Sequence, residues 1–503
     1  MAEIIVNVMI ADGSGGAPFA GALRFGGGRI LAVGPDVAAE PGDRVFDGGG
    51  RLLTPGLIDT HGHSDISAIA APAATGKIAQ GVATEVAGNC GLSPFPVTAL
   101  NREHLTELYA NYGVKLDWDD YAGYRRALAK SGTPLKIVSL CGHNTLRAAV
   151  AGYETRELAA AQLDAMCELL ARELAAGAAG LSLGLIYTPG CFASPAEVER
   201  LLRVVAAADK IFSIHLRSEG NELLPALKET IGAAEAAGQR RIMISHFKTA
   251  GKPNWHKLDA ALALIEAGRA RGLEIFFDRY PYIESMTQLS VVAPREYAEM
   301  IDSALKTRLR DPAEFRKLVV ALEQNGRDWT TVRLASSSDP LFSRYAGRIV
   351  TEIAAELGRT PPELIAEVLR ADAPGANGAF RGMSEANMIR ILGSELCCCG
   401  TDESARPTSL ELGRSHPRGF GAFPEFFRHL RAAGTPVGEI VRKCTALPAE
   451  IFRLADRGRL RPGLAADLAL IDLEKFRSDA SFEHPHRPAA GVELWIDGVP
   501  PAR

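Results

Sequence analysis

Eight short apolar runs recur through the middle of the chain: TPGLIDTHGH (54–63), VATEVAGN (82–89), KIVSLCGHN (136–144), GAAGLSLGL (177–185), KIFSIHLRS (210–218), RIMISHFKT (241–249), LEIFFDRYPY (273–282) and ELCCCGTD (395–402). Segments with apolar residues at helical spacing, such as LDAALALIEAGRARG, lie between most of them. Strands that are apolar nearly throughout need cover on both faces, and alternating strands and helices supply it around a parallel sheet. Eight such units are the number that closes a (β/α)8 barrel. The expectation is an α/β chain built on a TIM-like barrel.

The two ends of the chain have another texture. Residues 1–54 hold short β-type runs broken by glycines (EIIVNVMIAD, GALRFGGGRILAVG, RVFDGGGRLL), and the tail repeats the pattern in LRPGLAADLALIDLEK and GVELWIDGVP. Such runs with Gly-rich turns read as antiparallel strands. The expected division is a small β-domain formed jointly by residues 1–54 and 446–503, with a barrel over 55–445. More than 100 residues separate the seventh run from the eighth, far beyond one crossover helix. An insertion is therefore expected at about 283–345, in the position where barrels acquire lids and substrate walls.

Composition narrows the function classes. Charged residues are 23%, hydrophobic residues 47% and the net charge is −4, which describes an ordinary globular protein. Nothing in that balance attracts nucleic acid or anionic lipid. No apolar stretch approaches the roughly 18–20 residues of a membrane span. The first residues, MAEIIVNVMIADGSGG, lack the basic start and long apolar stretch of a signal peptide. Eight cysteines, at 90, 141, 167, 191, 397–399 and 444, form no CxxC pair and no disulfide framework. A reducing cytoplasm is the expected location.

Polar residues gather where the strands end. His61 and His63 close the first run, Cys90 the second, His215 the fifth, His246 the sixth and Asp402 the eighth. Each should project into the C-terminal mouth of the barrel, where this architecture collects its chemistry. Residues i and i+2 of a strand share a face, so His61 and His63 can hold one ion together. Imidazole, thiolate and carboxylate are the ligand set of zinc. Each residue alone has an ordinary explanation: a capping aspartate, a small buried thiol, a hydrogen-bonded core histidine. Five strand ends in one barrel favour a joint metal site.

The segments GLIDTHGHSD, SIHLRSEG, MISHFKTAG, GTDES, HPRGFGAFPEF and RGRLRPGLAADLALID resemble the amidohydrolase superfamily over nearly the whole chain. AGNCGLSP, GLIYTPG and SHFKTAGKPNW narrow the resemblance to the N-acyl-D-amino-acid deacylases, or D-aminoacylases. The resemblance implies zinc-dependent hydrolysis of an N-acyl-D-amino acid to a carboxylate and a free D-amino acid. The D preference comes from the resemblance alone. It also implies that Cys90 does the work of the carboxylated lysine that bridges two metals in many superfamily members. On that carry-over, Cys90, His215 and His246 hold one tightly bound Zn2+. His61, His63 and Asp402, with Cys90 shared, form a weaker second site. One departure is GTDES, which stands where a GSDG-like stretch is common and affects the loop after Asp402.

Asp402 is the expected general base, taking a proton from water and returning it to the leaving amine. The carboxylate of such a substrate calls for cations and hydroxyls in the mouth. Lys248, two residues after His246, is placed for that task, and Tyr187 and Ser285 match family positions that contact substrate. Arg381 offers a bidentate clamp. Arg295, at the start of the insertion, either selects an acidic side chain or pairs with Glu296. His143 is expected to give a supporting hydrogen bond. The partner implied is a small-molecule N-acyl amino acid, with neither nucleic acid nor membrane; the oligomeric state stays open. Two other readings remain: a different amide substrate (a dipeptide, a cyclic amide or an N-acyl amino sugar), or a non-catalytic metal-binding barrel. The presence of Asp402 and of the HxH pair argues against the second.

Overall fold

The computed structural model describes residues 2–500. Eight barrel strands fall within the eight runs: Leu57–Asp59, Val82–Ala87, Lys136–Ser139 (resumed at Cys141–Gly142), Gly180–Gly184, Ile211–His215, Arg241–Ile244, Glu274–Arg279 and Cys397–Cys399. Neighbours in this order pair in parallel. The ring closes where the backbone N–H of Thr60 donates to the Cys399 carbonyl at 3.3 Å and Gly62 bridges Glu403 in parallel. Among the described residues, no helix is long and apolar enough to cross a membrane.

Helices cover the outside for reasons legible in their residues. Helix Leu258–Ala270 buries Leu258, Ala261, Ile265 and Gly268, one stripe at 3.6-residue spacing. Helix Pro195–Ala207 begins where the Ser194 hydroxyl accepts from the Glu197 N–H at 3.2 Å and Pro195 fixes the first turn. Each fully buried Leu or Ile contributes roughly 1.5–3 kcal/mol from the area it removes from water.

Alternation along the strands sorts residues between helix layer and lumen. In strand five, Phe212 and Ile214 join the core under the helices, whereas Ile211 packs with Val86, Met243 and Cys398 inside the ring. Above that layer, the Ser213 hydroxyl meets Ser245 at 3.3 Å and Asn89 at 3.4 Å. His215 ends the strand at the top. The lumen thus passes from apolar to hydroxyl-lined to ionisable along its axis. Helix Ala446–Ile451 and the residue after it close the floor with Leu447, Ile451 and Phe452.

Both chain ends share one seven-stranded sheet, in which Leu52–Pro55 pairs with Leu468–Ile471 and that strand with Val492–Trp495. Ile5, Ile10, Leu23, Leu53, Leu468 and Trp495 are among its core residues. The sheet is not purely antiparallel: Glu3–Ile10 runs parallel to Arg44–Asp47 and Leu52–Pro55, because the chain passes the hairpin Phe19–Gly34 before returning alongside. The first run also proves to be two strands. Leu52–Pro55 belongs to this sheet and Leu57–Asp59 to the barrel, with Gly56 between them. A Cβ on Gly56 would lie 2.6 Å from the Ala83 methyl, so the crossing point has room only for glycine.

Between the seventh and eighth barrel strands stands a four-stranded antiparallel sheet, ordered Glu284–Gln288, Asn377–Arg381, Val332–Ser336 and Arg348–Ile349. With its helices it encloses a separate core that includes Tyr297, Leu318, Ile353 and Leu369. The unit runs past the expected end at 345, because Asn377–Arg381 lies between two strands supplied much earlier in the chain.

Candidate metal centre and active site

The residues at the strand ends converge. His61 Nε2 lies 3.3 Å from Cys90 Sγ, and His246 Nε2 lies 3.4 Å from the same sulfur. Asp402 Oδ1 is 3.2 Å from His63 Nε2 and 3.5 Å from His61 Nε2. One ligand atom each from His61, Cys90, His246 and Asp402 lie within 4.8 Å of one another, and the same holds for His215, Glu219 and His246. Both ring nitrogens of buried His215 lack a hydrogen-bond partner, although buried polar groups are nearly always paired. A thiol, imidazoles and a carboxylate on one focus, with partnerless ring nitrogens beside it, are the donor set a zinc-type ion takes.

Three of these residues have left-handed backbone without being glycine: Cys90 (φ 54°), His246 (φ 36°) and Asp402 (φ 49°). Such conformations cost of order 1–3 kcal/mol each and persist where surrounding structure enforces them. At His246 the consequence is visible. Strict alternation from Met243 and Ser245 would aim Phe247 into the lumen and His246 outward. Instead Phe247 packs on Phe277 at 5.0 Å between ring centroids, and His246 faces Cys90.

Electrostatics follow from crowding. Burial alone would push the Cys90 thiol up, but the His61 and His246 rings hold it well below its ordinary value. Burial would likewise raise Asp402, yet Arg418, His246 and His63 keep its carboxyl well below the usual range. Burial lowers the His63 ring, while Asp402 and Cys90 hold it at about 10.

A supporting layer fixes the ring orientations. Asp278 Oδ2 meets His61 Nδ1 at 3.2 Å, and Asp278 Oδ1 accepts from the His246 backbone N–H at 2.8 Å. Glu219 Oε1 lies 2.8 Å from His246 Nδ1 and pairs with Lys248. Carboxylates in these positions orient an imidazole so that its other nitrogen faces the ion. Asp278, Glu219 and Arg418 were not singled out from the sequence. A signal existed for Asp278, whose carboxylate follows Phe276 at the lumen-facing interval, directly after the apolar stretch Ile275–Phe277.

The residues expected to bind substrate are placed unevenly. Tyr187 stacks edge-on to His215 at 5.1 Å and its hydroxyl meets Thr287 at 3.1 Å, so it stands at the cluster. Lys248 is buried, but its ammonium is taken up by Glu219 and lies 2.9 Å from His246 Nδ1. Ser285 and Arg381 sit on neighbouring strands of the insertion sheet; Arg381 is exposed opposite Glu284, and neither hydrogen-bonds to the cluster. Arg295 is 81% exposed and pairs with Glu299 rather than Glu296, since i and i+4 share a helix face. His143 bonds Glu197 at 2.8 Å and makes no hydrogen bond to the cluster. A second buried cation at the site is Arg418, whose Nη1 lies 2.9 Å from Asp402 Oδ2, whose Nε has no hydrogen-bond partner and whose guanidinium sits 4.4 Å over the Tyr280 ring.

A sequence model of the Amidohydrolase family matches residues 44–335. N-acyl-D-glutamate deacylase of Alcaligenes xylosoxydans xylosoxydans is 33% identical over 497 residues, covering 97% of this chain and 91% of the relative. D-aminoacylase of the same organism is 31% identical over 500 residues, covering 99% and 93%. The crystal structure of N-acyl-D-glutamate deacylase from Bordetella bronchiseptica, complexed with zinc and a phosphonate inhibitor, superposes with a TM-score of 0.82 at 28% identity, covering 99% of this chain and 95% of that one. By sequence and by structure, the chain belongs to the amidohydrolase family.

Proposed function

We propose that the protein hydrolyses the amide bond of N-acyl-D-amino acids, giving a carboxylate and a free D-amino acid. The observation that carries this reading is the convergence of His61, Cys90, His246 and Asp402 on one focus at the barrel mouth. Full-length similarity to proteins named as D-aminoacylase and N-acyl-D-glutamate deacylase supports the substrate class and its stereochemistry. Cys90, His215 and His246 would hold a tight zinc, and His61, His63 and Asp402, with Cys90 shared, a weaker one. When bound, the ion supplies Lewis acidity toward the acyl carbonyl and acidifies the attacking water.

The chain's own groups do the rest. Asp402, kept ionised by Arg418 and the neighbouring imidazoles, takes the proton of the water as oxygen adds to the acyl carbon. It returns that proton to the nitrogen as the C–N bond breaks, so the amine leaves neutral. Arg418, whose Nη1 is 2.9 Å from Asp402 Oδ2, adds a buried positive charge on the side where the substrate carboxylate is taken. Lys248, paired with Glu219, and Arg381, on the insertion sheet, remain the other cations for that carboxylate. A cytoplasmic location goes with this reading, supported by eight cysteines that are all free.

The test incubates the zinc-loaded protein with N-acetyl-DL-amino acids, one side chain at a time, and resolves the released amino acid by chiral chromatography. Release of D-enantiomers alone is expected. Silence across that panel with turnover of a dipeptide or a cyclic amide overturns the assignment.

A further inference from the structure

Below the mouth, the segments that carry His61, His63 and Asp402 meet at one buried ammonium. Lys77 lies in the short helix Thr75–Ile78, and its side chain is fully buried. Its Nζ donates to Asp59 Oδ2 at 2.6 Å, to Thr401 Oγ1 at 2.5 Å and to the Glu403 carbonyl at 2.8 Å, and lies 3.1 Å from Glu85 Oε2. Burial works against the charge, but Asp59 and Glu85 hold it on the nitrogen.

Every partner of this ammonium is itself tied to a segment of the site. Asp59 ends the first barrel strand, and its Oδ1 accepts from the backbone N–H of His61 at 3.1 Å and of Thr401 at 2.9 Å. Thr401 immediately precedes Asp402, and its hydroxyl donates to Asp59 Oδ2 at 2.6 Å. Asp402 donates its own N–H to the His61 carbonyl at 2.7 Å. Glu85, on the second strand, accepts from the Ser64 N–H at 2.8 Å and from its hydroxyl at 2.6 Å, one residue past His63.

A buried ion pair is poor evidence for stability, because desolvation offsets much of the attraction. Here one ammonium is shared between two carboxylates, which makes a purely stabilising role weaker still. What the network does determine is geometry. Asp402 holds a left-handed backbone that needs enforcement, and the only covalent route from it to His61 runs through most of the chain. We propose that Lys77 is a positioning residue: it locks the turn bearing His61 and His63 to the loop bearing Asp402, and so sets where the general base stands relative to the imidazoles. Its mechanistic meaning rests on the deacylase reading; its geometric content does not.

Two full-length variants test it. Thr401→Val is nearly isosteric and removes only the hydroxyl between Lys77 and Asp59; Lys77→Met removes the ammonium and leaves two carboxylates unpaired. Each is loaded with Co2+, and its visible ligand-field spectrum, thermal unfolding midpoint, kcat and KM are compared with wild type. Thr401→Val should lower kcat about tenfold, the worth of one charge-assisted hydrogen bond, with KM unchanged and the cobalt bands shifted. Lys77→Met should lower kcat roughly 100-fold, as a misplacement on the scale of an ångström does. If Lys77→Met fails to fold, Thr401→Val decides alone. A lower unfolding midpoint with an unaltered cobalt spectrum and unaltered kcat reduces the network to a stabilising one and overturns the proposal. Should wild type prove inactive on N-acyl-D-amino acids, the cobalt spectra still decide the geometry.

Discussion

Cys90 and Cys398 stand in the same barrel, one at its mouth and the other near its floor, and they are opposite kinds of thiol. Cys398 lies among Val86, Ile211, Met243 and Leu447, where burial pushes its thiol well above the ordinary value. Cys90 is almost as buried, yet the imidazoles of His61 and His246 bring it well below. Burial is common to both; imidazoles crowd only one. The contrast extends to the whole ends of the barrel. The floor holds packed apolar residues in ordinary backbone, and the mouth holds ionisable groups, three of them on left-handed backbone. Stability resides at one end and chemistry at the other.

If that division is real, substitutions at the two ends should fail in different ways. The largest effect is expected at the mouth. Asp402→Asn keeps the shape of the side chain and removes the base, so kcat should fall roughly 10²–10⁴-fold. The thermal unfolding midpoint should stay within a few degrees of wild type, and metal content after gel filtration should be retained. Near-normal turnover would deny Asp402 its role and blur the line between the two ends.

At the floor the consequence should be reversed. Phe452→Ala empties part of the plug against Val86, Met243 and Cys398. The cost should be about 3–5 kcal/mol, read from the shift of the denaturation midpoint. Turnover at temperatures well below unfolding should not change. A loss of kcat without a loss of stability would mean that the floor shapes the site after all.

The same division marks what the sequence discloses. Strands, helices and the polar strand ends follow from local pattern, since a period of 2 or 3.6 residues and a polar residue closing an apolar run are visible in a few letters. The gathering of His61, His63, Cys90, His215, His246 and Asp402 at the barrel mouth was legible for that reason. The backbone reversal at His246 was not, because nothing in ISHFK announces a left-handed residue. Partnership across the chain was equally hidden. Glu219 occupies Lys248 only once strand and loop have folded together, and Arg418 reaches Asp402 from the start of helix Arg418–Ala432. The insertion's true extent was hidden too, since Asn377–Arg381 pairs with strands far earlier in the chain.

The smallest effect sharpens the opening contrast most directly. In metal-stripped protein the Cys90 thiol gives up its proton more readily than an ordinary cysteine, because the His61 and His246 rings favour the charged form over the neutral one. Alkylation by iodoacetamide should reach Cys90 first, as mapped on peptides by mass spectrometry, and Cys398 only on unfolding. The sign of the pH dependence separates the two thiols further. A thiol whose pKa lies above the working range gains thiolate about tenfold per pH unit. Cys90, held well below its ordinary value, should react at a rate that climbs less steeply than that from pH 6 to 8, and added zinc should suppress the reaction by occupying the sulfur. A Cys90 rate that climbs tenfold per unit would show that the rings do not hold their charge beside it. The mouth would then be polar without being electrostatically poised, and the two ends of the barrel would differ in packing alone.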